Sequence, residues 1–134
     1  MSEIIKPKII TPNEYVTKHF MYSEFKCPCC ERIKLIPAFF AHVGKLETMR
    51  RDLGFPIVIM SGYRCKKHNE EVHGSPESWH MLFATDIRPE SFDPHELLLM
   101  YHKAEQLKFM GIGLYEDRNF IHVDLRPEKA RWRV

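Results

Sequence analysis

The segment FIHVD, Phe120 to Asp124, constrains the fold most because its side chains alternate along a predicted β-strand. Successive side chains of a strand point to opposite faces, so Phe120, His122 and Asp124 share one face. A histidine and a carboxylate are costly to bury unless they pair with each other or bind a metal ion. The segment therefore predicts either a hydrogen-bonded His–Asp pair on a sheet or one part of a metal site.

A second polar stretch, Ser61 to Pro89, places His80 six residues before Asp86. If the fold brings this pair to His122, two histidines and a carboxylate supply three zinc ligands. The fourth position then stays open, which is the catalytic arrangement. Spacing alone does not establish such a site, because the third residue lies far along the chain and His80 could be an exposed loop histidine.

Two helices are predicted from apolar residues at helical spacing. The first runs from Ala38 to Leu53 and ends at a C-cap glycine, Gly54. The second begins at the N-cap Asp93 and continues to about Phe109. A shorter helix is predicted after Thr11, where a proline follows a capping residue.

Four short strands are predicted between and after these helices, at residues 56–60, 83–87, 111–115 and 120–125. The stretch 66–78 is polar and contains breakers, which predicts a helical turn and a loop. Helices combined with strands joined by short connections indicate an α+β fold, a small antiparallel sheet with flanking helices.

Length and composition indicate one globular domain, because 134 residues suffice to bury a core. We expect an N-terminal arm over residues 1–23 and the domain over 24–134. The formal net charge of +2 gives no reason to expect nucleic acid or a membrane as a partner. No apolar run approaches the ~18 residues of a membrane span, and no signal peptide is evident. Synthesis and retention in the cytoplasm are therefore expected.

The sequence contains four cysteines, Cys27, Cys29, Cys30 and Cys65. One interpretation is a structural zinc site that combines the CPCC cluster with Cys65. The alternative is a set of small buried or loop thiols, and the lack of a second spaced CxxC pair favours it. A cysteine–zinc module that binds nucleic acid is disfavoured, because the chain has no basic stripe.

Several short motifs follow one another in a specific order: SGYR, HN, SxH, ATDI, GIGLY, FIHVD and a terminal RW. In this order they resemble zinc-dependent peptidoglycan peptidases of the D-alanyl-D-alanine carboxypeptidase type. That group includes murein endopeptidases and phage cell-wall lysins, and it shares its core fold with the hedgehog signalling domain. The resemblance extends from Glu24 to Trp132, and motifs in series are more specific than any one alone.

The resemblance implies that His80, Asp86 and His122 are zinc ligands. Zinc with an open position lowers the pKa of water and polarises the scissile carbonyl. The resemblance also implies that Arg64 binds the substrate's carboxylate, a task that suits a planar and permanently charged guanidinium. Ser78 is implied to support substrate binding through hydrogen bonding.

Asp124 is the candidate general base, because it lies close to His122 and could take a proton from the attacking water. The alternative is that Asp124 orients His122 through a hydrogen bond. Trp132 is expected to pack in the core or to line the cleft, and packing is favoured.

Two departures from the family pattern bear on activity. The gap between His80 and Asp86 is one residue shorter than in most relatives and lacks their glycine, so the turn over residues 81–83 must absorb the deletion. Many relatives also carry an acidic residue three positions before the last histidine, where this chain has Asn119.

The resulting hypothesis is a zinc metallopeptidase that hydrolyses an amide bond in peptidoglycan stem peptides or cross-links, as a carboxypeptidase or an endopeptidase. The alternative is a catalytically degenerate relative that binds peptidoglycan or a protein partner, which the shortened gap favours. Without a signal peptide, phage-encoded release to the cell wall fits either function. The sequence gives no indication of the oligomeric state.

Overall fold

The computed structural model describes Lys8, Ile9 and residues 14–134. Within these residues the α-helices are α1 Pro37–Leu53, α2 Lys66–Glu71 and α3 Pro94–Gln106. The strands are β1 Lys8–Ile9, β2 Arg32–Ile33, β3 Ile57–Ser61, β4 Ala84–Pro89, β5 Gly111–Tyr115, β6 Phe120–Asp124 and β7 Ala130–Arg133. The two long helices and the four central strands lie where the sequence predicts them. The short helix predicted after Thr11 begins outside the described residues.

The main sheet has five strands in the order β3-β4-β6-β5-β7. All neighbours in it are antiparallel except β5 and β7, which run parallel. A separate antiparallel pair joins β1 to β2. The predicted α+β class is confirmed, but β7 and the β1–β2 pair are not among the predicted strands. In β7, Arg131 and Arg133 replace the apolar alternation by which a strand is recognised.

Recognisable capping signals mark both ends of α1 and the start of α3. In α1, a proline occupies the first turn and Gly54 ends the helix in the left-handed conformation, with φ of 77°. In α3, the side chain of Asp93 accepts a hydrogen bond from the backbone N–H of His95. None of the described helices is both long and apolar enough to cross a bilayer.

The hydrophobic core fills the space between these helices and one face of the sheet. It contains aromatic rings in edge-to-face contact, among them Phe25, Phe39 and Phe83. From β4 and β6, Ile87, Ile121 and Val123 are fully buried in it. The side chains that alternate with these core residues lie on the opposite face of the sheet, and that face carries the polar residues of interest.

Candidate metal centre and cleft

The pairing of β4 with β6 brings the three candidate metal ligands together. Asp86 lies directly opposite His122 in the strand register, and a 3-10 turn before β4 carries His80. The Oδ1 atom of Asp86 is 3.3 Å from His80 Nε2 and 3.2 Å from His122 Nδ1. One carboxylate oxygen therefore meets a ring nitrogen of each histidine.

The remaining nitrogen of each imidazole is held by another partner. His80 Nδ1 lies 2.8 Å from the carbonyl oxygen of Gly62, which can only accept a hydrogen bond. His122 Nε2 lies 2.7 Å from Oδ2 of Asp124. With the protons placed on these nitrogens, His80 Nε2 and His122 Nδ1 carry free lone pairs that point toward Asp86. Such outer hydrogen bonds fix the tautomer and orientation of metal-binding histidines.

The shortened gap between His80 and Asp86 is accommodated by the 3-10 turn Trp79–Met81. The side chain of Ser78 caps this turn by accepting a hydrogen bond from His80 N–H, at 3.2 Å. The carbonyl of His80 accepts a hydrogen bond of 2.8 Å from the backbone N–H of Arg64. Phe83 then enters the core, and the strand places Asp86 on the site face. The turn therefore absorbs the missing residue.

Asp124 is fully buried, and two residues engage its carboxylate. Besides His122, it is held by Arg126, whose Nε and Nη2 donate to the two carboxylate oxygens at 2.9 and 2.6 Å. Burial alone would raise the pKa of Asp124, but the hydrogen bonds from Arg126 and His122 hold it well below its usual range. A side chain at Gly111 would overlap Asp124, so the first glycine of GIGLY makes room for this carboxylate.

The pKa values of Asp86 and His122 shift in opposite directions. Burial would raise the pKa of Asp86, but hydrogen bonds with His122 and His80 hold it well below its usual range. Burial would lower the pKa of His122, but hydrogen bonds to Asp124 and Asp86 raise it. The ionised carboxylates therefore favour a positive charge at this point, which a proton or a metal ion can supply.

Trp132 lies on the site face and not in the core, contrary to the favoured prediction. Its ring is tilted against the imidazole of His122, with centroids 5.2 Å apart, and its Nε1–H donates to Tyr115 Oη at 2.9 Å. A Cβ atom at Gly113 would overlap the indole. The parallel pairing of β7 with β5 sets Trp132 directly opposite Gly113.

These side chains open into a cleft of about 650 Å³. Its lining is rich in arginine and aromatic residues: Arg64, Arg118, Arg126, Trp79, Tyr115, Phe120 and Trp132. Arg64 is positioned by Asn69, whose Oδ1 accepts a hydrogen bond of 3.2 Å from Nη1, and its Nη2 lies 3.8 Å from Asp86 Oδ2. The cleft thus offers cations for an anionic ligand and flat apolar surfaces beside the metal-binding groups.

Carboxylates are scarce in the cleft. Among the described residues that line it, Glu77 and Asp86 carry carboxyl groups. Asn119 occupies the position where many relatives have an acid; it adopts the left-handed conformation, with φ of 57°, between the turn Glu116–Arg118 and β6. Proton transfer in the cleft therefore cannot use a carboxylate at position 119.

Arg126, Trp79 and Gly62 are not among the site residues predicted from the sequence. A signal for Arg126 was present, because it continues the alternation of His122 and Asp124 by two residues. Trp79 and Gly62 carry no such signal, since their contacts depend on how the segment between β3 and β4 folds back toward the cleft. Arg126 lies 5.5 Å from the ring of Trp79 and closes that side of the cleft.

The side chains of His80, Asp86 and His122 are spaced as the ligands of a zinc ion would be. Tetrahedral zinc binds imidazole nitrogen and carboxylate oxygen at about 2.0–2.1 Å, which separates neighbouring donor atoms by about 3.3 Å. The two separations at Asp86 Oδ1, 3.3 and 3.2 Å, match this value. Donor atoms of His80, Asp86 and His122 all lie within 4.8 Å of one another.

Comparison with known proteins agrees with the family resemblance that the motifs carry. A family model described as Peptidase M15 matches residues 18–124, which include His80, Asp86, His122 and Asp124. A search of curated proteins finds no match to the chain. Because the family model covers most of the 134 residues, the chain belongs to the peptidase M15 family.

Proposed function

We propose that this protein is a zinc metallopeptidase that hydrolyses an amide bond in peptidoglycan stem peptides or their cross-links. Membership of the peptidase M15 family supports a zinc-dependent peptidase of peptidoglycan peptides in general. The observation that carries the proposal is the orientation of two imidazoles, His80 Nε2 and His122 Nδ1, toward one oxygen of Asp86. His80, Asp86 and His122 would hold the zinc ion, which would supply Lewis-acid activation of water and of the scissile carbonyl.

Asp124 acts in this proposal through His122 and not as the general base. Both of its oxygens are engaged by Arg126 and His122, and it contacts the imidazole nitrogen that faces away from Asp86. A buried carboxylate in this position fixes the tautomer of His122 and increases the basicity of Nδ1. Of the two roles that the sequence left open for Asp124, its contacts support the positioning role.

Glu77 is the residue that we assign to proton transfer. Asp86 is occupied by two histidines, and Glu77 is the other carboxylate among the described residues of the cleft lining. It is exposed in the cleft lining, three residues before His80 in the chain, and we place it within reach of the water that attacks the amide. A general base contributes to catalysis when it comes within hydrogen-bond reach of that proton in the substrate complex.

Arg64 binds the carboxylate of the substrate. Its guanidinium is oriented by Asn69 and stands beside Asp86, so a carboxylate bound there lies next to the metal-binding groups. Ser78 contributes indirectly, because its hydroxyl caps the turn that carries His80. The aromatic rings of Trp79 and Trp132 offer apolar surface to the remainder of the peptide.

The test combines metal content with hydrolysis of purified peptidoglycan and synthetic stem peptides, with products identified by mass spectrometry. The wild-type protein should release peptide fragments, and His122→Ala should lose about one zinc ion per chain together with the activity. His102→Ala is the matched control, because His102 is exposed on α3 and should leave both unchanged. Unchanged zinc content in His122→Ala would refute the proposed metal centre.

A non-catalytic binding function is the second candidate, and the amide at Asn119 is the observation that favours it. It predicts that the protein retains zinc and sediments with insoluble peptidoglycan but releases no fragment. Fragment release that disappears in both His122→Ala and Glu77→Gln excludes this candidate.

A further inference from the structure

Three of the four cysteines lie together away from the cleft, where the turn before β2 meets the beginning of α2. Cys27 is fully buried, whereas Cys30 and Cys65 are half-buried. The Sγ atoms of Cys27 and Cys65 are 3.6 Å apart, and the sulfur atoms of all three residues lie within 4.8 Å of one another. Residues 38 positions apart in the sequence therefore converge on one point.

The sulfur separation distinguishes between two kinds of thiol chemistry. A disulfide requires a distance of about 2.05 Å between the sulfur atoms. Thiolates at about 2.3 Å from a tetrahedral zinc ion are separated from one another by about 3.8 Å. The 3.6 Å between Cys27 and Cys65 is close to the second value, and all four cysteines are free thiols.

Backbone N–H groups point at these sulfur atoms. The N–H of Cys65 donates to Cys27 Sγ, and the N–H of His68 donates to Cys65 Sγ, both at 3.4 Å. Burial would raise the pKa of the Cys27 thiol, but hydrogen bonds from the backbone of Cys65, Cys30 and Cys29 lower it. Donors aimed at sulfur stabilise a thiolate, which is the form that binds a metal ion.

We propose that Cys27, Cys30 and Cys65, completed by Cys29, form a second, structural zinc site. Cys29 is exposed at the tip of the same turn, next to Cys30 in the chain. On metal binding each thiol releases its proton to solvent, and the four thiolates close the coordination shell. A closed shell of four sulfur ligands leaves no position for substrate, so this site holds structure and does not catalyse.

The site would hold in place the segment that supports the cleft. The backbone N–H of Tyr63 donates to the carbonyl of Phe25 at 2.9 Å, and a side chain at Gly62 would overlap that same backbone. Cys27 and Cys65 continue this contact on the two chain segments. Gly62 and Arg64 precede Cys65 by three residues and one residue. The carbonyl of Gly62 orients His80 and the side chain of Arg64 lines the cleft, so a zinc ion held by the cysteines would keep both in position.

The first experiment measures zinc in the His80→Ala/Asp86→Ala double variant, purified with a thiol reductant. This variant lacks two ligands of the cleft site, so the zinc that it retains reports on the cysteines alone. We expect about one zinc ion per chain, which should be lost when Cys65→Ser is added. The result is independent of the proposed peptidase activity, because the cleft site is disabled throughout.

A cobalt-substituted wild-type protein provides a second measurement that needs no variant. Thiolate ligands give Co²⁺ an intense charge-transfer absorption in the near ultraviolet, which imidazole and carboxylate ligands do not give. We expect this band in the wild type and its weakening in Cys29→Ser. His68→Ala is the matched control, because the ring of His68 pairs with Glu71 at 3.6 Å and is not assigned to the metal.

Three results would overturn the proposal. The first is a double variant that is folded, free of metal and fully reactive toward thiol reagents. The second is a mass lower by two hydrogens, which would identify a disulfide between Cys27 and Cys65. The third is a cobalt protein without the charge-transfer band.

Discussion

His122 of β6, on the cleft face of the central sheet, and His42 of α1, packed against the core face, are both buried, and the two differ in almost every chemical respect. His122 lies on the cleft face between two carboxylates, and they raise its pKa despite burial. His42 lies on the core face, where its Nε2 is 2.8 Å from Thr85 Oγ1 and no carboxylate of the described residues bonds to it. Burial first, and then the neighbouring charge of His122, lowers the pKa of His42 to about 3.

The comparison shows that burial alone does not determine the chemistry of a histidine. His42 is packed between the rings of Phe83 and Phe109, and its Nδ1 has no hydrogen-bond partner in the described part of the chain. His122 is hydrogen-bonded to Asp124 through Nε2 and faces the carboxylate of Asp86 with Nδ1. Its imidazole also lines the cleft. Strand alternation in β4 directs Thr85, the partner of His42, to the core face and Asp86, the partner of His122, to the cleft face.

The largest expected effect is at Asp86. We expect Asp86→Ala to reduce hydrolysis to background and to abolish the stabilisation that zinc gives through the cleft. A ligand at 100 times its dissociation constant stabilises the folded state by about 2.7 kcal/mol. Because both proteins retain the cysteine site, unfolding in the presence and absence of added zinc should show a gain in the wild type that exceeds the gain in the variant by about this amount.

The matched control is Asp117→Ala, because Asp117 is exposed in the turn before β6 and is not one of the clustered donor groups. It should retain both activity and zinc-dependent stabilisation. If Asp86→Ala still hydrolysed peptidoglycan, the carboxylate of Asp86 would not be part of the metal centre.

Two smaller effects should distinguish Asp124, which positions His122, from Glu77, the proposed general base. Asp124→Asn preserves shape but weakens the hydrogen bond to His122, so we expect zinc affinity to fall about 10–100-fold. Glu77→Gln should lower kcat with zinc affinity unchanged. Isothermal titration with zinc and steady-state kinetics on each variant test both statements. If Asp124→Asn instead lowered kcat at unchanged zinc affinity, and Glu77→Gln weakened zinc binding, Asp124 would be the general base.

Much of this site was predictable from the sequence, because β-strand alternation is a local property. It places His122 and Asp124 on one face, and family motifs supply His80, Asp86 and Arg64. The sequence could not decide whether the shortened turn still delivers Asp86, because that depends on the 3-10 turn Trp79–Met81.

The features that the sequence did not predict depend on contacts between distant segments. Trp132 reaches the cleft because an arginine-rich strand pairs in parallel with β5, which no local pattern indicates. The carbonyl of Gly62 belongs to the backbone, so residue type carries no sign of its hydrogen bond to His80. The glycines of β5, in contrast, form part of a motif, and their two-residue spacing already matches one face of a strand.

The glycine opposite His122 offers a test of the cleft face. In Gly113→Ala the new Cβ overlaps the indole of Trp132, so we expect destabilisation of about 1–3 kcal/mol and a higher KM. Gly44→Ala is the matched control, since Gly44 is exposed in α1 and a Cβ atom there would meet no other atom within 4 Å. That change should stabilise the protein by about 1 kcal/mol. Equal effects from both would show that Trp132 moves freely.

The smallest expected effect comes from the core-face histidine and depends on pH. The unfolded chain protonates His42 below its ordinary pKa of 6.5, whereas the folded chain resists protonation down to about 3. The unfolded state therefore binds more protons in this window, and stability falls as the pH falls, by about 1.4 kcal/mol at pH 5.5. His42→Gln should remove this component from the pH dependence of denaturant unfolding, and His102→Gln, on the exposed face of α3, should not. An identical pH dependence in wild type and His42→Gln would mean that the core face opens to solvent, and the contrast between the two histidines would then be one of ligands alone.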